Sequence, residues 1–183
     1  MHGSRSSNDI KRTWPRVAGT ARQNLSRNWQ DGRLWWNDPD AVVLTGLAPE
    51  EVRFHATAVY ATGGMVLSGD DLAQADATTL DIRRKLQPPT GVPARFEDES
   101  LTVGMAQAGP HRAVCLLNWD EAPRPLSFRL ERPSRLRERW TGEDLGACPA
   151  GEVSMTLPAR SGRVVVCTCT EASPLDGEVV VEG

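Results

Sequence analysis

The sequence predicts an α/β portion joined to an all-β portion: the last units of a (β/α)8 barrel followed by an antiparallel β-sandwich. Three observations carry this. The first half alternates helical and strand-like patterns with short connections, as βα units on a parallel sheet do. After Pro88-Pro89 the texture changes to short Val-, Leu- and Thr-rich segments separated by turn-forming clusters, the pattern of a sandwich. Finally, a buried parallel sheet needs helices on both faces or closure into a barrel. A closed (β/α)8 barrel takes roughly 250 residues, so two or three βα units cannot provide it. The 183 residues therefore divide into a partial barrel over 1–90, a sandwich over 91–170 and an acidic, loosely held tail over 171–183. The chain reads as a natural fragment or a truncated gene model.

The elements follow in order. "TWPRVAGTARQNLSRNW" places Trp14, Val17, Ala21, Leu25 and Trp29 at helical spacing, an apolar stripe. "GRLWWND" reads as a short buried strand opened by Gly32. "APEEVRFHATAVYATGG" has Pro49 and two glutamates in its first turn and stops at Gly63-Gly64, the asymmetry of a helix. "MVLSGD" is the next strand, and "DLAQADATTLDIRRKLQPP" a helix closed by its prolines. Beyond them "SLTVGMAQ", "RAVCLLNW", "PLSFRLE", "LRERWTG", "EVSMTLP" and "GRVVVCTC" are strands; "AGPH", "DEAPRP" and "TGEDLGACPAG" are turns.

Composition narrows the function. The formal charge is −3, with no basic stripe interleaved with aromatics, so a nucleic-acid partner is not expected. No apolar run approaches the roughly 20 residues of a membrane span, and "MHGSRSSNDIKRTW" lacks the apolar middle of a signal peptide. A cytoplasmic setting is favoured on that ground; homo-oligomerisation is left open. Cys167 and Cys169 point to one face of a strand, but with no histidine nearby they make a poor metal signature. With Cys115 and Cys148 they are expected to be small buried hydrophobes in a reducing compartment. His55 reads as a helix-surface or helix-packing residue, His111 as a turn residue, and "DIRRK" as a solvated helix face.

Several motifs occur in a recognisable order. "RSSND" with Trp14 five residues on resembles the sixth barrel strand of α-galactosidases in the melibiase group of glycoside hydrolases. "WNDPD", Trp36 to Asp40, is similar to the motif closing that group's seventh strand, and "GGMVLSGDDL" to its eighth. The succession "AVCLLNWDEAPRPLSF", "RERWTGEDLG" and "LPARSGRVVV" resembles its C-terminal β-domain. The likeness covers nearly all of residues 5–168.

What the resemblance implies is a retaining α-glycosidase acting on terminal α-linked galactose or a related sugar, with no cofactor and no metal. In such enzymes one carboxylate attacks the anomeric carbon while another carboxyl protonates the leaving oxygen. By motif, Asp9 matches the acid/base, Arg5 a sugar-contacting residue and Asp40 the carboxylate facing the sugar hydroxyls. Asn37 and Asp38 brace the loop, with Pro39 fixing its turn. Trp36 either packs on the sugar's apolar face or lies in the barrel wall. Asp70, with Asp71, either supports the pocket rim or caps the next helix. Ala41 stands where the group often has methionine, removing an apolar sugar contact. The group's nucleophile lies in a Lys-x-Asp segment on the fourth strand, and these 183 residues contain none. This polypeptide alone is therefore expected to be inactive. Two rivals remain: a non-catalytic carbohydrate-binding or assembly module built on the sandwich, and a Ca²⁺ site at "NDPD". The second has too few local oxygens for a cation that takes six to eight.

Overall fold

Pro15 in the first turn, and Val17, Ala21 and Leu25 on one face, form helix α1, Trp14–Ser26. The computed structural model describes residues 2–170, so the tail expected over 171–183 lies outside the described residues. α1 stops short of Trp29. Arg27 leaves helical geometry, and Asn28–Gln30 form a single 3-10 turn. Its tighter winding of three residues per turn rotates Trp29 off the stripe, and that side chain is 57% exposed. Helix α2, Pro49–Thr62, runs between its expected signals, with Gly63 in the left-handed conformation at its end (φ 67°). A Cβ on Gly63 would lie 2.5 Å from the Val92 carbonyl carbon, so the chain passes there only as glycine. Helix α3, Ala77–Lys85, begins later than the sequence suggests. Asp76 caps it by accepting a 2.6 Å bond from the Thr79 N–H, whereas Asp71 closes only a local turn with the Ala73 N–H at 3.0 Å.

The parallel strands are short. β1, Gly3–Arg5, pairs in parallel with β2, Trp36–Asp38, matching Gly3 to Trp36 and Arg5 to Asp38. β3, Ala41–Val42, pairs in parallel with β4, Leu67–Ser68. Pro39 and Asp40 break one strand into β2 and β3, because Asp40 adopts φ 73°. The expected buried strand from Gly32 is corrected: Gly32 turns at φ 69°, and Leu34 and Trp36 are exposed. Asn37, on the helix-facing side of β2, is fully buried, and its Nδ2 donates to the Arg27 carbonyl at 3.0 Å. One face of the strand thus rests on the turn that follows α1, while Trp36 is exposed on the other.

The rest is mainly β. β5 (Arg95–Phe96), β6 (Val103–Ala108), β7 (His111–Asn118), β9 (Ser134–Glu138), β10 (Asp144–Cys148) and β12 (Ser161–Cys169) form a six-stranded antiparallel sheet in the order β10-β9-β12-β7-β6-β5. β8 (Arg124–Leu130) and β11 (Gly151–Leu157) make a separate antiparallel pair. β10 falls inside a segment that reads as a turn, since Gly146 at φ 85° bulges this edge strand and hides its alternation. β7 is buried on both faces. Ala113, Cys115 and Leu117 join a cluster with α1 and α2, and Val114 and Leu116 join one with β8.

The first cluster runs from Val17 through Phe54 to Val164, so residues on both sides of position 91 share it. Trp14, Phe54 and Trp119 stack edge to face at 4.8 Å between ring centres. β12 comes so close to α2 that a Cβ on Gly162 would sit 2.7 Å from Thr57 Oγ1. The same hydroxyl accepts a 2.9 Å bond from Trp140 Nε1. Lys85, in the run expected to be solvated, instead donates to the Trp140 carbonyl at 2.7 Å and ties α3 to the sheet. Cys115 and Cys167 are buried, as expected of small hydrophobes, while Cys148 is half-buried and Cys169 exposed. No helix among the described residues is long and apolar enough to cross a membrane.

Candidate active site

Asp40 is held in its left-handed conformation by its neighbours. Its N–H donates to Asp38 Oδ1 at 2.9 Å across Pro39, and its own Oδ1 accepts from the Ala41 N–H at 2.7 Å. Aspartate tolerates this region better than most residues because its short side chain bonds locally. The other oxygen, Oδ2, accepts from the Ile10 N–H at 2.7 Å and meets Arg5 Nη2 at 2.7 Å. The same guanidinium nitrogen reaches Asp9 Oδ1 at 3.1 Å. Arg5, Asp9 and Asp40 are therefore one cluster, where two adjacent parallel strands end. Their exposures differ: the Asp9 side chain is 87% exposed, while that of Asp40 is 15%. Asp40 accordingly clamps the loop from Arg5 to Ile10, and Asp9 is the most exposed member of the cluster. Arg5 and Asp9 share an open cleft of about 470 Å3 with Lys11 and Arg16.

The supports are built from buried polar groups. Asn37 takes its N–H to Asp31 Oδ1 at 2.7 Å, accepts from Trp35 Nε1 at 3.1 Å and offers its carbonyl to the Met65 N–H at 3.0 Å. Trp36 is 57% exposed and touches neither Arg5 nor Asp9 by any hydrogen bond. Asp70 neither rims the cleft nor caps α3. Its side chain is fully buried and accepts from the Leu44 N–H at 2.7 Å, from the Thr45 N–H and hydroxyl at 3.2 and 2.7 Å, and from Arg12 at 3.2 Å. Burial alone would push its carboxyl up, but these donors more than offset it and hold it below the ordinary carboxylate range. Asp70 thus pins the end of β3 to the end of β4.

Three buried polar residues escape the motif reading. Asn24 sits on the apolar face of α1, accepts from Ser6 Oγ at 2.7 Å and donates to the Pro39 carbonyl at 3.0 Å, so it joins the Arg5 loop to the Asp40 turn. Its signal is a polar residue three on from Ala21 and beside Leu25, inside the helical stripe. Asp31 anchors Asn37 and has its carboxyl pushed up, chiefly by burial. His55 is buried, and its Nε2 accepts from the Val43 N–H at 3.3 Å. Burial pushes it down to about 4, only partly offset by the Ala41 backbone and the charges of Asp70 and Asp40. Among the described residues no group of three or more His, Cys, Asp and Glu side chains is arranged to hold a metal ion.

No family model and no curated protein matches the sequence. Solved structures do. α-Galactosidase I of Mortierella vinacea superposes with a TM-score of 0.76 at 16% identity, covering 94% of this chain and 54% of its own. A family 27 β-L-arabinopyranosidase of Geobacillus stearothermophilus gives 0.77 at 17% identity, covering 100% and 46%. The Saccharomyces cerevisiae α-galactosidase with raffinose gives 0.71 at 15% identity, covering 91% and 59%. The chain spans about half the length of these structures and has the fold of their C-terminal region.

Proposed function

We propose that this chain is the acid/base-bearing and sugar-holding part of a retaining α-glycosidase of the α-galactosidase kind. In this reading β1, the interrupted β2–β3 strand and β4 are the last three strands of a (β/α)8 barrel, ending near residue 91. The six- and two-stranded sheets form the C-terminal sandwich. The observation that carries the reading is the single guanidinium of Arg5 bridging Asp9 and Asp40 at the C-terminal ends of neighbouring parallel strands. That is the end of such strands where catalytic residues gather.

The chemistry divides as follows. Arg5 donates to a sugar hydroxyl while its charge orients Asp9. The second oxygen of Asp9 makes no hydrogen bond among the described residues, so it is the one that delivers a proton to the leaving oxygen and later withdraws one from water. Asp40 fixes Arg5 and retains one acceptor site, on Oδ1, for a hydroxyl. A retaining mechanism also needs a nucleophilic carboxylate about 5–5.5 Å from the acid/base. These 183 residues have no Lys-x-Asp segment to supply it. The chain therefore holds the sugar without cleaving it.

The test is a pair of measurements on the purified chain. D-Galactose should bind, with affinity falling on Arg5→Ala, and 4-nitrophenyl α-D-galactopyranoside should not turn over. Absence of galactose binding refutes the site. Turnover lost on Asp9→Asn refutes the missing nucleophile.

A further inference from the structure

A second cleft, of about 940 Å3, is lined by residues that precede β2 and by none of residues 36–41. One wall is the 3-10 turn Asn28–Gln30 and the residues after it; the other is the extended chain around Val92–Phe96. Asn28 ties the walls together, its Nδ2 donating to the carbonyls of Ala61 at 2.9 Å and Ala94 at 3.0 Å. It lines the cleft as well, and its Oδ1 has no partner.

Two features of this cleft bear on what it can hold. Trp29 stands 57% exposed on one wall, so an indole, apolar in its body and with one N–H donor, is open to the cleft. Asp31, only 9% exposed, lines the same cleft. Its Oδ1 is taken by the Asn37 N–H at 2.7 Å. Its Oδ2 makes no hydrogen bond or ion pair among the described residues, and is not among the sealed polar atoms. A carboxylate oxygen so placed is desolvated yet open on one side. Arg33 and Arg95, also on the cleft, form no ion pair among the described residues. Neither Asp31 nor Trp29 takes part in the Arg5–Asp9–Asp40 cluster.

An indole face, a carboxylate acceptor and guanidinium donors around one cleft are complementary to a sugar ring. The C–H face of a pyranose lies on the indole, adjacent hydroxyls donate to the carboxylate, and a further hydroxyl oxygen accepts from a guanidinium. We propose that the Trp29–Asp31 cleft is a second, non-catalytic carbohydrate site that takes a neutral hexopyranose. It goes beyond the reading of Asp9 as acid/base, since nothing in it requires a reacting bond. Asp31 reaches both places: the oxygen facing the cleft belongs to the same carboxylate that holds Asn37, the central support of the "NDPD" turn.

The test uses the full chain labelled with ¹⁵N at its six tryptophans, titrated with D-galactose, D-glucose and D-mannose. The Trp29 indole signal is assigned by Trp29→Phe. At least one sugar should shift that signal saturably. Trp29→Ala, followed by the remaining signals and by saturation transfer to the sugar, should weaken binding about tenfold or more. Asp31→Asn keeps the Oδ1 acceptor for Asn37 but replaces Oδ2 with a donor, and should weaken binding similarly. Arg5→Ala should leave this binding unchanged. Failure of all three sugars to move the Trp29 signal overturns the proposal, as does saturable binding indifferent to both Trp29→Ala and Asp31→Asn. Binding abolished by Arg5→Ala alone assigns the sugar to the first site and likewise overturns the second. Conversely, absence of any Arg5-dependent binding event, with the Trp29 response intact, refutes the glycosidase reading and not this one.

Discussion

His55 makes the stability of the chain depend on pH in a calculable way. Buried beneath β3, it keeps a lone pair on Nε2 for the Val43 N–H at 3.3 Å, and burial pushes it down to about 4. In the unfolded chain it titrates near the ordinary value of about 6.5. Between the two the unfolded state binds the extra proton, so stability rises with pH across that window. The contribution is complete above pH 6.5 and is lost as pH falls toward 4. Integrating between the two values gives a loss of about 2 kcal/mol at pH 5 and about 3 kcal/mol at pH 4. Carboxylates such as Asp70 also lose stability in acid, so the wild-type curve alone does not isolate His55. His55→Gln does, because the Gln Oε1 occupies the place of Nε2 as an acceptor and does not titrate. Urea unfolding followed by tryptophan fluorescence at pH 7, 6, 5 and 4 gives the difference between the two proteins. The deficit of His55→Gln at pH 7 should shrink by about 2 kcal/mol by pH 5. Parallel pH profiles for the two proteins would refute the assignment of a neutral, acceptor histidine at this position.

The remaining outcomes concern the scaffold and the first site. Asp70→Ala removes the acceptor of the Leu44 and Thr45 N–H groups and should cost about 2–3 kcal/mol in chemical denaturation, since buried donors are left unsatisfied. Thr57→Val keeps shape at the α2–β12 contact but deletes the acceptor of Trp140 Nε1; about 1–2 kcal/mol is expected, read from the same transition. Arg5→Ala should reduce D-galactose affinity about tenfold or more by calorimetric titration, because a charge-assisted donor is lost. It should also lower the unfolding midpoint modestly, since the Arg5 side chain is 41% exposed and its loss leaves the Asp40 carboxylate, 15% exposed, without its cationic partner.

Legibility in the sequence followed how local the determining physics is. α2 was readable because Pro49, the first-turn glutamates and Gly63 punctuate it within the segment itself. β7, β8, β11 and β12 were readable because burial on one or both faces leaves an alternating or continuous apolar trace. Trp29 was not: its spacing fits the helix, and only the change to 3-10 winding at Asn28 takes it off the stripe. Nor was β10, whose edge position and Gly146 bulge remove the pattern. At the site, Arg5, Asp9 and Asp40 were legible as a motif, and the structure brings them within one guanidinium's reach. The roles of Asn24, Asp31 and Asp70 depend on backbone groups 15, 6 and 26 positions away, which no window of sequence displays.

The way Asn37 is bonded explains why the "NDPD" turn can hold so unfavourable a conformation at Asp40. A left-handed aspartate costs about 1–3 kcal/mol and persists only where its surroundings over-determine it. Here the constraint comes from both sides. Ahead of the turn, Asn37 is fully buried and uses its N–H, its carbonyl and both ends of its amide, with Asp31, Met65, Arg27 and Trp35 as partners. Behind it, Asp70 fixes Leu44 and Thr45, and His55 fixes Val43. The strand is therefore anchored before and after residues 39–41, and the break between β2 and β3 has no freedom to relax into a regular strand. Regularity would return Asp40 to the pleat and release Ile10 and Arg5 from its carboxylate. The strain at Asp40 is thus what places Arg5 against Asp9. It is supplied by buried amide, carboxylate and imidazole groups that stand outside the Arg5–Asp9–Asp40 cluster.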